Sequence, residues 1–197
     1  HFRGPIGVGY GTEGESPWTS ETRVLEEDGA RRVTEAITSG PGGSMRAVDV
    51  VGMVPDDPVC GKRTEYPVKT PDHWRMFKAM REDWLERTTQ PWYADAAEAH
   101  EVMGEYGIAS VGIGAVYGAL GSQRGMQELM YDLYDIPDLI KEVQEVLRAC
   151  TAKHVEAFLA SPCEVGWYDI CWATGSNMSP QMFEEWVMPD VRMVCEM

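Results

Sequence analysis

Positive charge is scarce in this sequence: 17 Lys and Arg stand against 32 Asp and Glu, a formal net charge of −15 over 197 residues. Nucleic-acid binding needs clustered cations that neutralise phosphates. Here the cations are scattered, which argues against DNA, RNA and an anionic membrane as partners. Long apolar runs are lacking too. No stretch reaches the roughly 18 apolar residues of a membrane span, and no signal peptide opens the chain, so the expected compartment is the cytoplasm. Cysteine is thin as well. Cys60, Cys150, Cys163, Cys171 and Cys195 form an odd set without C-x-x-C spacing, which suits reduced thiols better than a disulfide framework.

What is abundant points to burial. Twelve Met and seven Trp bring adaptable and large apolar side chains, as a substantial core or a roomy pocket requires. The acidity serves solubility and does not by itself imply a cationic substrate. The sequence opens at His1 and stops at Met197 inside an amphipathic run, so a natural protein longer in both directions is expected.

Up to about residue 68 the chain is rich in Gly, Pro and Thr and reads as strands and turns. Residues 22–25 and 31–34 flank Asp28-Gly29, a strong hairpin signal. Ser39-Gly40-Pro41-Gly42-Gly43-Ser44 reads as a loop, and Pro55-Asp56-Asp57-Pro58 as a turn. From Thr70 the pattern becomes helical, with Thr70 as N-cap, Pro71 at the first position and Trp74, Phe77 and Trp84 as an apolar stripe. A second helix is expected over 94–106, stopping at Gly107. Residues 108–116 read as a strand buried on both faces, 118–125 as a loop and 126–134 as a helix. Pro137 then opens a long helix with Leu139, Ile140, Val143, Val146, Leu147, Cys150, His154 and Phe158 on one face. Residues 165–171 read as another strand. Ser179-Pro180 caps a last helix that Pro189 kinks.

This alternation predicts a parallel sheet with right-handed crossovers, either an open doubly wound sheet or a closed barrel. Gly112-Ile113-Gly114 lacks the rest of a dinucleotide fingerprint, since position 117 is Tyr117. Its glycines also lie within the strand, not after it, so a dinucleotide fold is rejected.

Three segments carry a resemblance. Gly125-Met126-Gln127-Glu128-Leu129-Met130-Tyr131-Asp132-Leu133-Tyr134-Asp135-Ile136-Pro137-Asp138-Leu139 is similar to a helix ending in leucine-tyrosine, two variable residues and proline. Ser179-Pro180-Gln181-Met182-Phe183-Glu184-Glu185-Trp186-Val187-Met188-Pro189 is similar to a serine-proline-x-x-phenylalanine run ending in proline. Tyr66-Pro67-Val68-Lys69-Thr70-Pro71-Asp72-His73-Trp74 is similar to a segment of divergent members, which the hairpin at 22–34 also suits. In this order the three resemble the uroporphyrinogen decarboxylase (URO-D) superfamily over roughly residues 66–197. The resemblance implies an α/β fold: a partial (β/α)8 TIM barrel of the URO-D type with an N-terminal β-hairpin region. Residues 1–68 would be the strand and turn region of the same domain, and 69–197 the first part of the barrel, truncated at its C-terminus. It also implies one of two chemistries. Uroporphyrinogen decarboxylases remove acetate carboxyls without a cofactor, using arginines to hold the polyanionic substrate. The related methyltransferases move a methyl group between a corrinoid on a partner protein and a thiol, which a zinc ion held by His and Cys activates.

Barrel enzymes carry their active sites at the C-terminal ends of the strands, which selects the loops at 117–124 and 169–177. Tyr117 and Asp169 are the candidate catalytic residues. The family's tyrosine aligns with Val116, one residue from Tyr117, and a tyrosine closing the barrel rim is the competing reading. Asp169 suits orienting substrate, accepting a proton or binding metal, with a helix-capping carboxylate as the competing reading. Arg124, Trp172 and Asn177 are the candidate substrate-binding residues: Arg124 as a bidentate carboxylate or phosphate ligand, Trp172 as a pocket wall, and Asn177, like Ser179, equally a cap. No metal ligand is assigned. Cys163 and Cys171 lie at opposite ends of the second strand, too far apart at roughly 3.3 Å per residue to share an ion. Cys150 and His154 read as a core pair on the long helix. No cofactor is expected within this chain, and zinc, if the chemistry is methyl transfer, would draw its ligands from beyond residue 197.

The expected activity is corrinoid-dependent methyl transfer, favoured by the extra hairpin region and the displaced tyrosine. Uroporphyrinogen decarboxylation is the alternative, and a non-catalytic paralogue binding a tetrapyrrole or a corrinoid protein is the second. The expected partner is accordingly a tetrapyrrole or a corrinoid protein. A half barrel exposes strand edges and apolar helix faces, so residues 1–197 alone are expected to aggregate or to pair with a second copy as a homodimer.

Overall fold

A computed structural model describes residues 6–29, 31–54 and 60–197. Strands β1 (Gly9–Thr12), β2 (Thr19–Asp28), β3 (Arg31–Gly40), β4 (Gly43–Val51) and β5 (Gly61–Glu65) come first. Then follow α1 (Pro71–Arg87), β6 (Thr88–Trp92), α2 (Ala94–Met103), β7 (Ser110–Ile113), α3 (Val116–Arg124), α4 (Met126–Asp135), α5 (Pro137–Ala160), β8 (Val165–Tyr168), α6 (Pro180–Trp186) and α7 (Met188–Glu196). The chain is α/β, and no barrel closes among the described residues. No helix among them is long and apolar enough to cross a membrane.

Two compact units share the chain. The first comprises Glu15–Met80 and Ser122–Val143. Its centre is an antiparallel sheet of order β2-β3-β4-β5. Asp28-Gly29 forms the expected hairpin turn, with Gly29 at φ 57°. The expected loop at 39–44 is instead a tight hairpin. Gly40 pairs with Gly43 across Pro41-Gly42, and Gly42 and Gly43 take φ 97° and 140°, a region open mainly to glycine. The expected turn at 55–58 lies outside the described residues.

One face of this sheet buries Val33, Val48 and Val50 as a small cluster. Across the same face runs a row of alternating charge. Glu35 pairs with both Arg23 and Arg46, Glu65 with Arg46 and Lys69. In the same unit Thr70 caps α1, its hydroxyl accepting from the His73 amide at 3.3 Å. Trp74 and Phe77 are wholly buried, ring centroids 6.1 Å apart and edge-on. Each such side chain contributes about 1.5–3 kcal/mol.

The second unit comprises His1–Gly14, Arg81–Gly121 and Gln144–Met197. Here β1 and β6 form an antiparallel pair that the apolar pattern did not signal. β7 and β8 run parallel, in register from Ser110↔Val165 to Ile113↔Tyr168. Ile6 makes a parallel bridge to Val111. Both parallel strands are shorter than expected. The strand read at 108–116 is Ser110–Ile113, and the one at 165–171 ends at Tyr168. Residues 118–125 are not a loop, because α3 begins at Val116, two residues after Gly114, and runs to Arg124. The second helix ends at Met103 with Gly104 at φ 49°, followed by a short 3-10 turn over Gly104–Tyr106. Gly107 is extended and does not supply the left-handed cap. The last helix breaks at Val187, next to Pro189.

Candidate active site

The parallel register decides which residues share an end. Ile113 and Tyr168 are partners at the C-terminal ends of β7 and β8. The chain leaves β7 through Gly114 and Ala115 straight into α3, whose first turn closes as the Ala119 amide donates to the Ala115 carbonyl at 2.9 Å. Thr151 on α5 holds this turn, its hydroxyl donating to the Gly114 carbonyl at 3.2 Å. Leaving β8, the chain enters the segment 169–178. Tyr117 and the trio Asp169, Trp172 and Asn177 therefore follow the same end of the parallel pair.

Tyr117 sits in the first turn of α3, not in a loop. It is 1% exposed, and its hydroxyl, sealed from solvent, has no hydrogen-bond partner among the described residues. Burial pushes its pKa up to about 12. Tyr168, the partner of Ile113, is half-buried, and its hydroxyl accepts a long bond of 3.4 Å from the Val116 amide. Its pKa also rises to about 12. Burial is the main cause, and Asp190 and Cys195 add to it while the Val116 amide and Arg148 oppose it. Both phenols are neutral at neutral pH, and each can donate one proton in a hydrogen bond.

Asp169 is exposed at the start of its segment, and the Cys171 amide donates to its Oδ1 at 2.8 Å. Asn177 is exposed and donates to the Trp172 carbonyl at 2.9 Å, while Trp172 itself is half-buried. Ser179 caps α6, accepting from the Met182 amide at 3.2 Å. The segment is thus shaped by its own hydrogen bonds, and Asp169 and Asn177 serve as local turn formers whatever else they do.

Arg124 ends α3, belongs to the other unit, and is only 15% exposed at its side chain. Its Nε and Nη2 donate to the two oxygens of Asp132 at 2.7 and 3.2 Å, and its Nη1 donates to the Lys69 carbonyl at 3.1 Å. Trp74 Nε1 donates to Asp132 Oδ2 at 2.7 Å. The guanidinium ties the end of α3 to α4 and to the segment leading into α1.

A polar cluster that the pattern did not signal stands behind Tyr168. Asp190, 1% exposed on α7, pairs with Arg148 and accepts from Gln144 Nε2 at 2.8 Å. The same amide nitrogen donates to the Trp186 carbonyl at 2.8 Å. Burial raises the Asp190 pKa against the pull of Arg148 and Gln144. The rule that found Asp169 also reaches its neighbour Tyr168, the true last strand residue. Nothing in the spacing of Gln144, Arg148 and Asp190 announces a long-range partnership.

Cys150 and His154 share α5. Burial lifts the thiol to about 11 and depresses the imidazole, with the Arg81 charge lowering both. His154 also packs on Trp84, ring centroids 5.6 Å apart. Cys163 is buried, its thiol 3.5 Å from the Ala96 carbonyl, while Cys171 is exposed beyond β8. Among the described residues no three His, Cys, Asp or Glu side chains come together as a metal cage would require.

No family model matches the chain, and neither a curated protein nor a solved structure matches it.

Proposed function

We propose that this chain is the first part of a (β/α)8-barrel enzyme domain of URO-D type that works at the C-terminal ends of β7 and β8, in corrinoid-dependent methyl transfer. The observation that carries the reading is the parallel Ile113↔Tyr168 register, which puts Tyr117 and residues 169–178 beyond one strand end. β7 and β8 are parallel neighbours joined by a helical connection, as successive barrel strands are, and Ile6 makes a parallel bridge on the other side of β7.

Tyr117 and Tyr168 would orient the substrate by hydrogen bonding as neutral phenols. Trp172, half-buried, would supply an apolar wall. A thiol acceptor must lose its proton before sulfur can take a methyl group. Asp169, exposed and holding one amide through Oδ1, retains acceptor capacity for that proton. General-base help of this kind is worth roughly 10²–10⁴-fold. Methyl transfer is preferred to decarboxylation because Arg124, the arginine first assigned to substrate carboxylates, is committed to Asp132.

The test incubates the purified full-length protein, of which this chain is proposed to be the first part, with methylcobalamin, a thiol and zinc, and separately with uroporphyrinogen. Thiol-dependent loss of methylcobalamin, slowed at least tenfold by Asp169→Ala, is expected. Carbon dioxide release from uroporphyrinogen without methylcobalamin turnover overturns the reading. Turnover of neither leaves only the binding paralogue, which uroporphyrin or cobalamin fluorescence quenching would reveal.

A further inference from the structure

His154 stands on α5 among groups that suit its neutral form. On α1, Arg81 and Trp84 are three residues apart and share a face. On α5, Cys150 and His154 are four apart and do the same. The His154 and Trp84 rings pack 5.6 Å apart at an angle of 34°. Cys150 is buried beside them, and the Arg81 charge acts on both its thiol and the imidazole. Burial lowers the His154 pKa and Arg81 lowers it further. The charges next along each helix are engaged with one another. Asp83 pairs with Arg87 at 3.0 Å on α1, and Glu156 with Lys153 at 2.8 Å on α5. From β1, Tyr10 donates to Glu156 at 2.7 Å and lies beneath the Lys153 ammonium.

We infer that Arg81, Trp84, Cys150 and His154 form an acid-sensitive latch, which holds the end of α1 on α5 while His154 is neutral and loosens it when His154 takes a proton. A protonated imidazole would lose much of its hydration and stand near a guanidinium, and like charges repel more strongly where water is excluded. The Trp84 face attracts an imidazolium, but burial and Arg81 both act against it. The loosening has a route onward. α1 ends at Arg87 and β6 begins at Thr88. β6 pairs with β1, and the Glu13 amide donates to the Arg87 carbonyl at 2.9 Å. The second tie, from Tyr10 to Glu156, outlasts the first. Lys153 and the Tyr10 hydroxyl hold Glu156 below its ordinary 4.5, so that tie is lost only as pH falls through the depressed value. His154 is depressed below its ordinary 6.5, so its contribution is complete above 6.5 and declines as pH falls from there towards the folded value. This inference does not depend on the reaction proposed above.

An imidazole titration of the full-length protein by NMR tests it, with the His154 signal assigned through its contact with the Trp84 ring. Hydrogen exchange of the β6 amides, corrected for the intrinsic effect of pH, is read at about pH 7.5 and about pH 5.5, either side of the ordinary histidine value. The expected result is a His154 midpoint below 6.5 and β6 amides that lose protection by roughly threefold or more in acid. Arg81→Gln should raise the midpoint. His154→Gln, which cannot take the proton, should make β6 protection equal at the two pH values. A His154 midpoint at or above 6.5 overturns the inference, and the wild-type titration decides this whatever the variants do. Wild-type β6 protection that is the same at both pH values overturns it as well. So does a His154→Gln variant that loosens in acid as much as the wild type.

Discussion

The antiparallel sheet β2-β3-β4-β5 and the parallel pair β7-β8 solve the same hydrogen-bonding problem with opposite economies. In the first, neighbours in sequence are neighbours in space, so short turns set the register and each charged side chain finds its counterpart one strand away. Glu35 between Arg23 and Arg46 is the extreme case. In the second, the partner strand arrives only after a crossover from Ile113 to Val165. What gathers at its C-terminal end is incompletely matched: a sealed phenol without a partner among the described residues at Tyr117 and a long bond at Tyr168. Matched groups build the frame. Unmatched ones mark where a substrate could still make a difference.

The frame should therefore be the costlier thing to cut. Replacing Asp132 with Ala leaves the Arg124 guanidinium and the Trp74 indole N–H without their acceptor. Removing one member of such a largely buried pair costs about 3–5 kcal/mol. Urea unfolding should show that loss. A change under about 1 kcal/mol would mean that Arg124 is not a structural tie and would reopen its assignment to substrate. Gly125→Ala should cost less, at least about 1 kcal/mol, because φ there is +82° and the new methyl would lie 2.9 Å from the Tyr66 ring.

The frame was also the more legible half. The Asp28-Gly29 hairpin, the Thr70 cap and the helices α4 and α5 could be read from neighbours along the chain. Local turn chemistry and helical periodicity dictate all of them. The site end was read in outline only. Gly118 and Gly121 weaken the helical signal of α3, so the segment holding Tyr117 read as a loop. Apolar Ile170 and Cys171 made β8 look longer than it is and hid Tyr168 as its last residue. Arg124 read as a ligand because its partner Asp132 lies on the next helix, and nothing in the intervening residues says which way that helix turns back. Strands β1 and β6 left no trace, since one is glycine-rich and the other contains Pro91.

Acid should separate the two regions by sign. The Arg46 and Arg23 guanidinium groups hold Glu35 below the usual carboxylate value of 4.5. Its contribution is present above that value and is lost as pH falls through the depressed one. Asp190 behaves oppositely. Burial holds it above its usual 3.8, so the folded state is most favoured where Asp190 is protonated, and loses ground as pH rises through the raised value. Melting temperatures from pH 3 to 7, a span of roughly the carboxylate range and above, should show Glu35→Gln falling further behind the wild type as pH rises. Asp190→Asn should gain on it. Two parallel trends would remove the proposed contrast.

The smallest effect on stability is the sharpest test of the site. An orphaned buried hydroxyl costs roughly 1–3 kcal/mol relative to the same space filled by an apolar group. Tyr117→Phe deletes only that hydroxyl, which has no partner among the described residues and no access to solvent. The variant should therefore be as stable as the wild type or more so, by about 1 kcal/mol, in the same urea titration. If the hydroxyl is kept for substrate, turnover must fall although stability does not, the expected trade-off where a site holds an unsatisfied group. A stabilised variant with full turnover would make Tyr117 a rim-closing side chain and leave Tyr168 as the phenol that meets substrate. A destabilised variant would mean that the hydroxyl has a structural partner, and Tyr117 would then join Glu35 among the matched groups of the frame.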